Sequence, residues 1–281
     1  MAIDNPNLIS QEELANDLEK FTIVDASWYL PAQNRNGFEE YMASRIPGAV
    51  FFDIDKISDQ NSDLPHMLPS PDEFEAHMGS LGISQDADIV VYDCVGLFSA
   101  ARCWWSLKTF GAKSVRILQG GFDRWKAAGL IVEEGAPKKP SQSVFKSSFD
   151  ASKVANYEQM LGFIKDSNAT ILDARPHERW LGSASEPRQG MRSGHMPGSF
   201  SLPASSLVEN GQLLEISELE KRFKELKLNQ NTKAVTTCGS GVTAAIIALA
   251  LTSIGHEEQT LYDGSWAQWG SIETSPIIEW Q

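Results

Sequence analysis

Thr236-Thr237-Cys238-Gly239-Ser240-Gly241-Val242-Thr243, followed at once by Ala244-Ala245-Ile246-Ile247-Ala248-Leu249-Ala250-Leu251, reads as a strand end, a loop and a helix start. The β-type run Ala234-Val235-Thr236-Thr237 stops at a cysteine. Two glycines then permit a tight backbone curl before an apolar, helix-forming segment begins. This order aims loop N–H groups and a helix N-terminus at the space around one sulfur. A thiolate is favoured in such a place. The competing reading of the loop alone is a buried structural cysteine at a strand end.

The same order of features occurs twice in the chain. Phe21-Thr22-Ile23-Val24-Asp25-Ala26 is answered by Ala169-Thr170-Ile171-Leu172-Asp173-Ala174-Arg175. The turn Ile46-Pro47-Gly48 is answered by Gly194-His195-Met196-Pro197-Gly198. The strand Ala87-Asp88-Ile89-Val90-Val91-Tyr92-Asp93 matches the one that ends at Cys238, and Leu118 to Trp125 matches Leu261 to Trp269. Asp25 and Asp173, Pro47 and Pro197, Asp93 and Cys238, and Trp125 and Trp269 are each 144–150 residues apart. Two copies make a duplicated domain rather than a solenoid. Strands alternating with helices predict an α/β fold: two domains, each a largely parallel sheet flanked by helices.

The expected organisation is a first domain over 1–134, a linker over 135–150 and a second domain over 151–281. Glu133-Glu134-Gly135-Ala136-Pro137-Lys138-Lys139-Pro140 carries the proline, charge and small residues of a linker, with its acids solvated. Ser10-Gln11-Glu12-Glu13-Leu14 reads as a capped helix start. An Ala/Trp-rich helix is expected from about Ser99 to Phe110. Trp104, Trp105, Trp125, Trp266 and Trp269 are read as packing residues.

The chain has 281 residues, 42% of them hydrophobic, enough for two cores. No run of 18 apolar residues occurs, so no membrane span is expected. The start Met1-Ala2-Ile3-Asp4-Asn5-Pro6 lacks the pattern of a secretory signal. Three cysteines, with no CxxC pair or Cys/His cluster, fit neither a disulfide framework nor a zinc site. Free thiols in a reducing cytoplasm are the expectation. A formal net charge of −13 disfavours nucleic acid as a partner. No nucleotide-binding glycine loop is present, and no cofactor or metal is expected.

The two copies of the loop differ. The first reads Asp93-Cys94-Val95-Gly96-Leu97-Phe98-Ser99, with aspartate in the place of Cys238. One working site, in the second half, is the expectation. Cys94 and Cys103 are read as small or core residues. A phosphatase loop would place arginine six positions after its cysteine, where this chain has Ala244. A small neutral loop instead suits a compact species on sulfur, such as a persulfide, held by backbone donors.

As a set, five further motifs make the chain resemble a tandem-domain sulfurtransferase of the rhodanese family. They are Ile46 to Asp55, His66-Met67-Leu68-Pro69, Glu186-Pro187-Arg188, Gly194-His195-Met196-Pro197-Gly198 and Tyr262-Asp263-Gly264-Ser265-Trp266. With Gly239 and Ser240 where thiosulfate-using members usually carry bulkier residues, often Arg-Lys, the loop is similar to that of the 3-mercaptopyruvate branch. The resemblance implies an inactive first domain and an active second one. It implies that Cys238 takes sulfur from 3-mercaptopyruvate as a persulfide, releasing pyruvate. The sulfur then passes to a thiol, a thioredoxin-like protein or cyanide.

The resemblance further implies that Arg179 and Arg188, nine residues apart, hold the substrate carboxylate and keto oxygen. Gly239, Gly241, Val242 and Thr243 complete the substrate-binding loop. A proton relay of Ser240, His66 and Asp55 is implied likewise. The competing role for the arginines is structural pairing with Glu178 or Glu186, and for His66 an ordinary loop position. His195 belongs to a turn that is structural in the family, and Arg192 falls outside the matched positions. The alternative activities are a thiosulfate:cyanide sulfurtransferase and a persulfide carrier with little turnover of its own.

Overall fold

A computed structural model describes residues 5–226, 228 and 232–279. Each half of the chain forms a five-stranded sheet whose recorded pairings are all parallel. The first sheet uses Leu8–Ile9, Thr22–Asp25, Val50–Phe51, Asp88–Tyr92 and Ser114–Leu118. The second uses Val154–Ala155, Ala169–Asp173, Ser199–Ser201, Lys233–Thr237 and Gln259–Tyr262. In both, the strands lie side by side as first, fifth, fourth, second, third. A shared order of this kind is what the duplicated sequence pattern predicts.

Parallel neighbours need crossovers, and helices supply most of them. Gln11–Asn16 is capped by Ser10, whose Oγ accepts from the Glu13 N–H at 3.0 Å. Ser99–Thr109 and Ala244–Ser253 follow the fourth strand of their sheets. Ala244 through Leu251 are all buried, so this helix is apolar on every side and sits in the core. Each fully buried Leu or Ile there contributes about 1.5–3 kcal/mol of transfer free energy. All five tryptophans read as packing residues are buried. Trp125 belongs to the core of the first unit, and Trp266 and Trp269 to that of the second.

The compact units do not follow the sequence halves throughout. Residues 61–67 belong to the second unit and residues 210–213 to the first. The stretch read as a linker lies along the first unit up to Asp150. Phe145 is buried against Phe74, with ring centroids 5.5 Å apart, and Phe149 packs on Phe110 at 5.0 Å. The expectation of a solvated Glu133 is corrected. Its Oε1 accepts from Arg45 Nη2 at 2.6 Å and its Oε2 from the Gly48 N–H at 2.9 Å. These bonds, the Gly48 N–H first, lower its pKa. The buried Arg45 guanidinium needs a counter-charge that local composition does not reveal.

In this strand order the connections leaving the second and fourth strands run in opposite directions. A crevice therefore opens at their carboxyl ends, where open α/β sheets bind ligands. In the second sheet these ends are Asp173, which pairs in register with Thr237, and Cys238 just beyond it.

Candidate active site

Cys238 sits one residue past the strand Lys233–Thr237 and is 2% exposed. The turn after the next strand props its loop. The Trp266 N–H donates to the Cys238 carbonyl and the Ala267 N–H to the Gly239 carbonyl, both at 2.9 Å. Cys238 N–H reaches Ser265 Oγ at 3.3 Å, and that hydroxyl donates to the Tyr262 carbonyl at 2.8 Å. Ser265 is fully buried and holds a left-handed φ of 47°, an uncommon conformation for a non-glycine residue. Its part in bracing the loop was not evident from sequence, although its motif was.

The two loop glycines act differently. Gly241 has φ 78° and makes the curl. Gly239 does not hold a left-handed backbone, and its bare Cα faces two arginines. A Cβ there would lie 3.4 Å from Arg179 Nη2 and 3.9 Å from Arg188 Nη1. Both guanidinium groups therefore converge on the residue next to Cys238. The N–H groups of Gly239, Ser240, Val242 and Thr243 donate to no described residue. They form a set of uncommitted donors beside one sulfur, as an anion cradle requires.

The twin loop holds an anion in its cradle. The Asp93 carboxylate accepts from the N–H groups of Val95 at 3.0 Å, Phe98 at 2.7 Å and Ala100 at 2.9 Å. Its carbonyl accepts from the Phe122 N–H at 2.9 Å, as the Cys238 carbonyl does from Trp266. Asp93 and Cys238 are thus equivalent in structure as well as in sequence. Burial raises the Asp93 pKa against the lowering effect of these bonds. Neighbouring Cys94 is buried, which pushes its thiol up to about 12, and burial also raises that of Cys103. Both behave as core thiols.

Arg179 and Arg188 have different surroundings. Arg179, on the short helix His177–Leu181, donates Nε to Glu186 Oε1 at 3.2 Å and Nη2 to Oε2 of the same residue. Arg188 is half-buried, and no described residue forms a hydrogen bond or ion pair with it. Desolvation lowers its pKa; the nearby Cys238 opposes this and Arg179 adds to it. A cation held in this way favours an incoming anion. The structural pairing considered for Arg179 does occur, and it orients this guanidinium while leaving Arg188 open.

Behind them is a buried lattice missed from the sequence. Arg175, 1% exposed, donates to both Asp173 oxygens, to Glu186 Oε1 at 2.7 Å and to the Gly194 carbonyl at 2.9 Å. Its guanidinium lies 3.9 Å from the centre of the Trp266 ring. Burial works against its charge, but Asp173 and Glu186 carry its pKa above the ordinary value. The signal available was Asp173-Ala174-Arg175 at a strand end.

Ser240 is buried, and its Oγ lies 3.1 Å from His66 Nδ1. His66 is also buried and has φ 60°. It sits in the short segment that joins the second unit, so Cys238, Gly239, Ser240, Arg179, Arg188 and His66 all belong to one unit. Asp55 belongs to the first unit, where its Oδ2 accepts from Trp28 Nε1 at 3.0 Å. His195 stacks on Trp180, with centroids 3.8 Å apart, and its Nδ1 bonds the Trp180 carbonyl at 2.9 Å. Burial lowers its pKa, and its contacts are those of a structural turn. Arg192 spans the carbonyls of Gly270, Glu273 and Ser275, tying down the chain near residue 272. No group of three or more acidic, His or Cys side chains able to hold a metal occurs among the described residues. Nor is any helix among them long and apolar enough to cross a membrane.

Comparison with known proteins gives a consistent result. The model of the rhodanese-like domain matches residues 10–128 and again 156–272. The chain is 41% identical over 262 residues to a 3-mercaptopyruvate sulfurtransferase of Escherichia coli, covering 93% of each chain. It is 38% identical to the mitochondrial thiosulfate/3-mercaptopyruvate sulfurtransferase 1 of Arabidopsis thaliana, over 91% of this chain and 73% of that one. The crystal structure of SseA, a 3-mercaptopyruvate sulfurtransferase from Escherichia coli, is similar with a TM-score of 0.85 and 39% identity. It covers 92% of this chain and 98% of that one.

Proposed function

We propose, from the premise that this chain belongs to the rhodanese family as a tandem-domain member, that it moves sulfur from 3-mercaptopyruvate to a thiol or cyanide through Cys238. The observation that carries this reading is the convergence of Arg179 and Arg188 on Gly239, beside a loop of uncommitted N–H donors. A 2-keto acid has a carboxylate and a keto oxygen side by side, and a pair of guanidinium forks suits both.

In this mechanism Arg188 takes the carboxylate, because its donors are free, and Arg179 polarises the keto oxygen from its fixed position on Glu186. The Cys238 thiolate attacks the substrate sulfur, forming an S–S bond as the sulfur–carbon bond breaks. The electron pair of the broken bond passes into the pyruvate enolate, stabilised by the two arginines. The sulfhydryl proton of the substrate ends on the enolate carbon by way of Ser240 and His66. This leaves pyruvate and a Cys238 persulfide anion against the N–H groups of Gly239, Ser240, Val242 and Thr243. An acceptor thiolate or cyanide then bonds to the outer sulfur and Cys238 leaves as thiolate, giving ping-pong kinetics. The acceptor is proposed to be a small thiol or a thioredoxin-like protein in a reducing compartment, the cytoplasm.

Thiosulfate is the second reading, favoured by the dual name of the Arabidopsis relative. It is a dianion without a keto group and draws on positive charge more than on orientation. The test compares pyruvate release from 3-mercaptopyruvate with thiocyanate formation from thiosulfate, with Cys238→Ser as control. A clear excess for thiosulfate overturns the donor assignment, and activity in Cys238→Ser overturns the nucleophile. A persulfide carrier would keep transfer from a protein donor when both arginines are replaced. His66→Ala should lower kcat far more than it lowers stability, and unchanged turnover would dismiss the relay.

A further inference from the structure

A second concave site lies within the first unit and plays no part in the sulfur chemistry. It is a cleft of about 330 Å³. Its apolar wall is an aromatic cluster: Phe38 lies 6.2 Å from Tyr41 and 5.5 Å from Phe51, with Tyr41 5.3 Å from Phe51. The Tyr41 hydroxyl is committed to the Ala49 carbonyl at 2.8 Å, which leaves its ring as an apolar surface. Phe38 is 49% exposed, which is unusual for a phenylalanine held by two other rings.

The strap Pro137-Lys138-Lys139-Pro140, part of the stretch whose composition suggested a linker, also lines the cleft. It is pinned at both ends. The Gly135 N–H donates to the Met42 carbonyl at 3.1 Å, and the Gly135 carbonyl accepts from Arg45 at 2.7 Å. The Ser143 N–H donates to the Gly79 carbonyl at 3.1 Å, and a Cβ on Gly82 would meet the Ser141 carbonyl oxygen at 2.6 Å. The two prolines further restrict the strap. Neither Lys138 nor Lys139 forms an ion pair or hydrogen bond with a described residue. Asp53, the one acid in the lining, is taken by Lys56 at 2.8 Å. Lys138 also helps to lower the pKa of Glu133, and the Lys56 ammonium lies 6.0 Å from the centre of the Phe38 ring. Lysines thus outnumber the acid in the lining of this cleft, on a chain whose net charge is −13.

We infer that this cleft is a binding site for a small aromatic carboxylate, with its ring against Phe38, Tyr41 and Phe51 and its anion at Lys138 and Lys139. The volume is at the lower end of small-molecule pockets, the size of one ring system with a short acidic arm. A ring gains by stacking, and the carboxylate selects against neutral analogues by charge.

The test titrates the full chain with indole-3-acetate at low salt by calorimetry and ligand-observed NMR, with the neutral alcohol indole-3-ethanol as comparison. The expected dissociation constant is on the order of 0.1–1 mM. It should weaken about fivefold in Lys138→Glu/Lys139→Glu, and by a similar factor in Phe38→Ala or with the alcohol. All three positions are exposed, and unchanged turnover of 3-mercaptopyruvate verifies that these variants are folded. Arg188→Ala should leave the binding unchanged, which separates this cleft from the Cys238 site. No binding at about 10 mM, loss of binding in Arg188→Ala, or equal binding of the alcohol overturns the proposal. So does tighter binding of an acidic tryptophan-containing peptide by about tenfold, which would make the cleft a protein-docking surface.

Discussion

Replacing Glu186 by Gln tests whether one carboxylate fixes the substrate arginines. Its Oε1 accepts from Arg175 Nη1 at 2.7 Å and Arg179 Nε at 3.2 Å, and its Oε2 from Arg179 Nη2. Its side chain is 3% exposed. Glutamine keeps the shape but turns an NH2 group towards a guanidinium donor. Arg175 retains Asp173, so it loses part of its pairing; Arg179 is left with no carboxylate partner among the described residues. Breaking a buried ion pair costs about 3–5 kcal/mol. The Arg179 side chain is 21% exposed, so water recovers part of that. The expected loss is about 2–4 kcal/mol. Urea unfolding followed by tryptophan fluorescence should show the midpoint falling by about 1–2 M at constant slope. kcat/KM for 3-mercaptopyruvate should fall roughly tenfold or more, through a lower kcat as well as a higher KM, because in the proposed mechanism Arg179 faces the keto oxygen and the enolate it becomes. Adding Arg179→Ala should lower kcat/KM little further, since the two residues act as one unit. An unchanged midpoint, or kcat/KM effects that multiply independently in the double variant, would refute the reasoning.

Four further outcomes follow from local geometry and burial. Gly241→Ala must adopt φ 78° and should lose about 1–2 kcal/mol in thermal or urea unfolding. Gly239→Ala should fold normally but raise KM, because its methyl group meets Arg179 Nη2 at 3.4 Å. Asp93→Ala leaves three N–H groups without their acceptor. It should cost about 1–3 kcal/mol in urea unfolding, the lost bonds being partly offset by relief from burying a carboxyl group. Asp25 has its pKa raised to about 6, chiefly by burial and against the bonds it accepts from Ser27. Because the folded state binds this proton more tightly, stability is greatest below the unfolded pKa and falls as pH rises through about 6. Asp25→Asn should therefore stabilise by about 1–3 kcal/mol at pH 7 and by little at pH 4, as read from urea midpoints at the two values.

The duplication and the place of Cys238 were legible because both rest on local signals: strand, turn and helix in a repeated order. The equivalence of Asp93 and Cys238 needed only alignment of the copies. The lattice behind the arginines was not legible. Glu186 serves Arg175 and Arg179 at once, and nothing in Glu186-Pro187-Arg188 distinguishes a shared acceptor from a solvated acid. Ser265 braces a loop 27 residues earlier, a contact that exists only once the fourth and fifth strands are paired. Both loop glycines were read as allowing a curl; Gly241 holds the left-handed φ and Gly239 does not, while a Cβ at Gly239 would stand 3.4 Å from Arg179 Nη2. Composition misled at residues 135–150, where prolines and lysines concealed the anchors Phe145 and Phe149.

The two loops together explain what the cradle does. In the first unit the strand ends in a carboxylate that turns back into its own loop and takes three N–H groups. In the second the strand ends in a sulfur, and four N–H groups are left without a described acceptor. A carboxylate fixed to the chain is a permanent occupant of the first loop. A thiolate is smaller and carries its charge on one atom; adding a second sulfur moves that charge outward by one bond length. In the proposed mechanism the donors left open at Gly239, Ser240, Val242 and Thr243 face this outer charge, and sulfur uptake is favoured where they stabilise the persulfide more than the resting thiolate. On this argument Cys238→Asp should convert the working loop into a copy of the silent one, inactive but folded. Unfolding of that variant would show that the two cradles are not equivalent.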